Sequence, residues 1–128
     1  MSTDSLITSF ATRYQLERNH RPFKRKEVRE LPVDRCGVYA LWIPGEIEEA
    51  YTCLYVGLSI TCVRRRLLDH LTYEENPELR KYLQMFVDLV TFSVAFTKNA
   101  AETHLLETSV IQEWQPITNR NKLGLSHP

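Results

Sequence analysis

Apolar and polar positions divide the chain into short, clearly punctuated segments. In residues 5 to 17, Leu6, Ile7, Phe10, Ala11 and Tyr14 recur at helical spacing behind the capping residues Thr3 and Asp4, which predicts an amphipathic helix. Residues 19 to 34 combine prolines and basic side chains without a clean period, and predict an irregular connection with a short helix near Lys26. CGVYALWI (36 to 43) and YTCLYVG (51 to 57) are rich in β-branched and aromatic residues, and Pro44-Gly45 interrupts them. This pattern predicts an antiparallel hairpin with a projecting acidic loop over 45 to 50.

Beyond Gly57, Ser59 or Thr61 is expected to cap a helix carrying Val63, Leu67, Leu68 and Leu71. Arg66 and His70 lie one turn apart at the border of its apolar stripe and should leave the core in the same direction, with Arg64 nearer the stripe itself. A short helix is predicted over 77 to 87. A strand follows in LVTFSVAF (89 to 96), with Leu89, Thr91, Ser93 and Ala95 on one side, and a helix over about 100 to 114 ends before Pro116. The 128 residues fit one α+β domain. Its expected divisions are an N-terminal helix and basic connection (1 to 35), a core (36 to 121) and a short tail (122 to 128).

Composition adds little to this until distribution is considered. An apolar content of 43% with 25% charged residues is that of a globular chain. Formal net charge is zero, which argues against gripping nucleic acid by bulk charge. Basic residues nonetheless gather in RNHRPFKRK (18 to 26) and at Arg64, Arg65 and Arg66, and acids in GEIEEA (45 to 50) and YEENPE (73 to 78), so a polarised surface is expected. Cys36, Cys53 and Cys62 form no C-x-x-C pair and are expected to be reduced and packed. No apolar run approaches the roughly 20 residues needed to cross a bilayer. MSTDSLITSF shows no basic stretch followed by an apolar core, so the cytoplasm is the expected compartment.

One carboxylate stands out. Val110, Ile111 and Trp114 follow Glu107 by three, four and seven residues, which sets Glu107 within the apolar face of its own helix. A carboxylate facing a core costs several kcal/mol unless it is paired or binds a metal, so a partner is expected: an arginine such as Arg66, or a cation.

Taken in order, Gly37-Val38-Tyr39, Tyr55-Val56-Gly57, Arg66 with His70 four later, Glu107, and Asn119 twelve later resemble the GIY-YIG nuclease family. The resemblance covers about Cys36 to Asn121 and rests on five elements in order with family-like spacing. It implies a three-stranded antiparallel sheet flanked by helices, here with an extra N-terminal helix, and hydrolysis of phosphodiester bonds in DNA by a one-metal mechanism. It further implies that Glu107 binds Mg²⁺ or Mn²⁺ and that Arg66 contacts the scissile phosphate. Tyr55 or Tyr39 would help activate the attacking water, His70 would assist, and Gly37, Gly57 and Asn119 would hold the architecture. Arg64 and Arg65 are further candidates for phosphate contact.

The chemistry suits these residue types. A phosphodiester resists attack because its oxygens are already negative, so a divalent cation and a guanidinium must neutralise charge that builds in the transition state. A tyrosine needs a nearby cation before its phenolate can serve near neutral pH. DNA is the expected partner, with sequence selection left to loops, a homodimer or a specificity partner. The alternative is a catalytically inactive nucleic-acid-binding or protein-interaction module of the same fold.

Overall fold

A computed structural model describes residues 15–47 and 50–120. The expected N-terminal helix lies outside the described residues except for 15–17, which are helical, and the tail 122–128 also lies outside them. Strand β1 (Arg21–Pro22) leads into α1 (Arg25–Arg29), the short helix expected near Lys26. The hairpin forms as β2 (Gly37–Pro44) and β3 (Tyr51–Ser59), followed by α2 (Val63–Thr72) and α3 (Pro77–Met85). Strand β4 (Thr91–Phe96) and α4 (Ala100–Trp114) complete the order.

The fold is α+β, but the sheet has four antiparallel strands among the described residues, in the order β1-β4-β2-β3, and not the three expected. The added strand pairs Arg21 with Phe92 and Pro22 with Thr91. Two residues offer no alternation to read, and proline, lacking an N–H, is tolerated in a sheet at such an edge. The strand read over 89 to 96 starts later than expected, at Thr91. Leu89 is exposed in the turn before it, whereas Ser93 and Ala95 are buried opposite Ala40 and Val38.

Strand alternation divides the core between the two faces. On one, Leu106, Val110 and Ile111 of α4 pack against Val38, Ala40, Val56 and Ala95. On the other, Val63 and Leu67 of α2 and Leu79 of α3 pack with Leu41, Phe92 and Tyr39. Each such aliphatic side chain, once fully buried, stabilises the fold by roughly 1.5–3 kcal/mol. Because β2 is central and covered on both faces, it is buried from Gly37 through Ile43. A register shift falls between Leu41 and Trp42, whose partners are Tyr55 and Cys53, so Leu54 is the unpaired residue and turns into the Tyr39 core.

Helix α2 is capped differently from expectation. Cys62 occupies the cap, its Sγ accepting from Arg65 N–H at 3.4 Å, while Ser59 Oγ accepts from Cys62 N–H at 2.9 Å and so shapes the turn one step earlier. All three cysteines are free thiols. No helix among the described residues is long and apolar enough to cross a membrane.

Candidate active site

Tyr39 of β2 and Tyr55 of β3 project from the same sheet face, since Tyr39 pairs with Gly57 and Leu41 with Tyr55, and cross-strand partners share a side. Their ring centroids are 6.3 Å apart. His70 sits across both rings at 5.5 Å from Tyr39 and 5.4 Å from Tyr55, edge-on to each. Its Nε2 meets the Tyr39 hydroxyl at 2.6 Å. Tyr39 is 0% exposed, whereas Tyr55 keeps part of its surface.

Arg66, one turn before His70, approaches the same pair of phenols, and it is exposed. Burial pushes the Tyr55 hydroxyl pKa up, and the guanidinium of Arg66 opposes that rise by charge and by hydrogen bonding. The Tyr39 pKa is raised well above its ordinary value, first by burial and then by Tyr55, again with Arg66 in opposition. Arg64 and Arg65 are not brought to the phenols. They line a separate 270 Å³ cleft with Val33, Asp34 and Leu68, and the Arg64 Nε is buried without a hydrogen-bond partner.

Glu107 is buried at 6% exposure within α4, as its spacing predicted. Its helix covers the opposite sheet face, yet its charge raises the pKa of both Tyr39 and Tyr55. The bland ion pair with Arg66 does not form: among the described residues Glu107 has neither salt bridge nor hydrogen bond. Burial alone pushes its carboxyl up to about 7. No group of three or more His, Cys, Asp or Glu side chains is arranged to hold a metal among the described residues. A lone, hard carboxylate without a protein partner nevertheless fits Mg²⁺, which retains most of its waters and needs only one or two protein carboxylates.

Asn119 grips the outer side of β3, the last strand of the sheet among the described residues. Its Oδ1 accepts from Val56 N–H at 2.8 Å and its Nδ2 donates to Val56 C=O at 2.9 Å, while Thr118 N–H donates to Leu54 C=O at 2.9 Å. Gly37 and Gly57 are both positions of close approach. A Cβ at Gly37 would fall 2.6 Å from Ala95 O, and one at Gly57 would strike the Tyr39 ring.

Sequence reasoning missed Glu74. Only 8% exposed, it bonds His70 Nδ1 through Oε2, and its Oε1 accepts from Asn76 N–H at 3.0 Å. Burial opposes its charge, but the bonds from His70 and Asn76 prevail and hold its carboxyl below the usual range. Its separation of four from His70 was visible, but α2 ends at Thr72, so helical spacing did not extend that far. A groove of 560 Å³ opens beside His70 and Glu74, with Lys24, Arg25 and Arg80 on its walls and Leu83 and Val90 among its apolar lining. Part of the basic run at 18 to 26 therefore borders the His70 side of the site.

In comparisons with known proteins, no family model, no curated protein and no solved structure matches this chain.

Proposed function

We propose that this chain is a metal-dependent endonuclease of the GIY-YIG type that hydrolyses phosphodiester bonds in DNA. The observation that carries the reading is Glu107, a buried carboxylate with no protein partner among the described residues, acting electrostatically on two phenols that share Arg66 and His70. A structural acid at such a place needs a cationic side chain if it is to stay ionised, and none is paired with it among the described residues.

Glu107 is the residue that would hold Mg²⁺ or Mn²⁺, which when bound neutralises phosphate charge and makes water a better nucleophile. Arg66 is exposed beside Tyr55, and its planar guanidinium suits two oxygens of one phosphate. Tyr55, the phenol that retains exposure, orients the attacking water and takes its proton in the phenolate form that Arg66 favours. Tyr39, fully enclosed, cannot reach that water and fixes the positions of its neighbours. Lys24 and Arg25 flank the adjoining groove and supply contacts to the backbone that give affinity without sequence selection.

The test is nicking of supercoiled plasmid with Mg²⁺ or Mn²⁺ by the native chain, Glu107→Ala and Arg66→Ala. Nicking by the native chain alone is expected. Retained DNA binding with no nicking by any form would instead assign a binding module.

A further inference from the structure

We infer that Glu74 is a positioning residue of this site, holding His70 as the tautomer protonated on Nδ1 so that its bare Nε2 accepts the Tyr39 hydroxyl proton. The inference rests on the nuclease reading for its catalytic consequence, but not for the tautomer itself. It begins with an unbroken chain of contacts: Glu74 Oε2 to His70 Nδ1, and His70 Nε2 to Tyr39 Oη at 2.6 Å. All three residues are buried, at 8%, 4% and 0% exposure.

The direction of each bond follows from the chemistry of its ends. An ionised carboxylate has no proton to give, so the hydrogen between Glu74 and His70 belongs to Nδ1. A fully enclosed phenol remains an O–H and has one proton to donate. His70 Nε2 lies at hydrogen-bonding distance from it and, in a neutral imidazole protonated on Nδ1, carries the lone pair that receives it. The Tyr39 oxygen then keeps its own lone pairs for the side of the site where Arg66 and Tyr55 lie. In the other tautomer Nε2–H would point at the phenol, turning its hydroxyl hydrogen toward those neighbours and removing an acceptor from them.

Glu74 is itself held in place. Its second oxygen accepts from Asn76 N–H at 3.0 Å. Asn76 caps α3 by accepting from Glu78 and Leu79 N–H, and its Nδ2 donates to Thr118 C=O at 2.9 Å. The adjoining Asn119 is bonded on both sides of Val56, one residue from Tyr55 and one from Gly57. The sheet edge that carries Tyr55 is thus tied through the 73–76 connection to the tautomer of the histidine facing it. A surface carboxylate in an acidic run would have no such fixed geometry.

The experiment is ¹⁵N NMR of the His70 ring nitrogens in the native chain, Glu74→Gln and Glu74→Ala, with plasmid nicking measured on the same samples. The native chain should show a protonated Nδ1 and an unprotonated Nε2. Glu74→Gln, whose amide oxygen still accepts, should keep that tautomer, and Glu74→Ala should move His70 toward Nε2–H. Nicking should fall on the order of 10- to 100-fold in kcat for Glu74→Ala, the scale seen for partners that orient ligating histidines, with KM little changed and partial rescue in Glu74→Gln. A native His70 protonated on Nε2 or on both nitrogens, or a tautomer unchanged in Glu74→Ala, overturns the inference. Should Glu74→Ala fail to fold, the native and Glu74→Gln spectra decide it. A native chain with the expected tautomer but no nicking overturns the nuclease reading and leaves the tautomer assignment standing.

Discussion

Gly57 lies beneath the ring of Tyr39: the two are cross-strand partners, and a Cβ at Gly57 would come within 2.5 Å of Tyr39 Cζ and closer still to its hydroxyl. The same Cβ would lie 2.9 Å from Tyr55 Cε1. The absence of a side chain at 57 is thus what allows both phenols to lie over the sheet. Gly57→Ala is expected to destabilise the protein by about 1–3 kcal/mol, the usual cost of overpacking a closed core. It should also break the Tyr39–His70 bond. Urea unfolding and the His70 ring ¹⁵N shifts check the two effects separately, and an unchanged His70 spectrum would refute the second.

Asn119 bonds both backbone groups of Val56, on the side of β3 that has no neighbouring strand among the described residues. Asn119→Ala strands a buried N–H and C=O together, at roughly 1–3 kcal/mol for each group left unsatisfied. A loss of about 2–6 kcal/mol is therefore expected, with increased amide exchange at Val56. Unchanged protection of that amide would show that the bonds do not form in solution.

Arg66 is exposed, and no salt bridge with a carboxylate restrains it among the described residues. Its removal forfeits the hydrogen bond to Tyr55 and should lower stability by about 0.5–1.5 kcal/mol. If it stabilises charge developing at phosphate, Arg66→Ala should slow nicking by about 10²–10³-fold. Arg66→Lys should recover little of that, because an ammonium cannot bridge two oxygens as a guanidinium does. Full activity in Arg66→Lys would reduce the role of Arg66 to that of a diffuse positive charge.

The hairpin, α2, α3 and α4 were legible because each repeats its period over nine residues or more, or ends at a plain signal such as Pro44-Gly45 or Pro116. Glu107 was legible for the same reason, as a carboxylate that falls in phase with the apolar face around it. Arg21–Pro22 was not, since two residues carry no period and their pairing with β4 is a long-range contact. The cap at Cys62 was passed over because Ser59 and Thr61 are commoner capping types, yet Ser59 serves the turn and leaves the cap to sulfur. Glu74 was hidden in the acidic run 73 to 78, where only the tertiary placement of Asn76 against Thr118 turns it toward His70.

The pH dependence of stability isolates Glu107. Burial pushes its carboxyl up to about 7 from an ordinary 4.5, so the folded protein binds this proton more tightly than the unfolded chain. Where the folded state holds more protons, stability falls as pH rises. The contribution is full below about 4.5 and is lost progressively up to about 7. At roughly 1.4 kcal/mol per pKa unit, the loss amounts to as much as about 3 kcal/mol in the absence of divalent metal. Glu107→Gln cannot ionise, so its urea midpoint should decline less over that window, and in EDTA at pH 8 it should exceed that of the native chain. Comparing the two proteins cancels the other titrating groups. Adding Mg²⁺ should restore the native chain at pH 8 and leave Glu107→Gln unmoved, because only the ionised carboxylate gains from binding a cation. Parallel curves for the two proteins in EDTA would mean that Glu107 is compensated in solution, and a native midpoint indifferent to Mg²⁺ would remove the metal from the proposed chemistry.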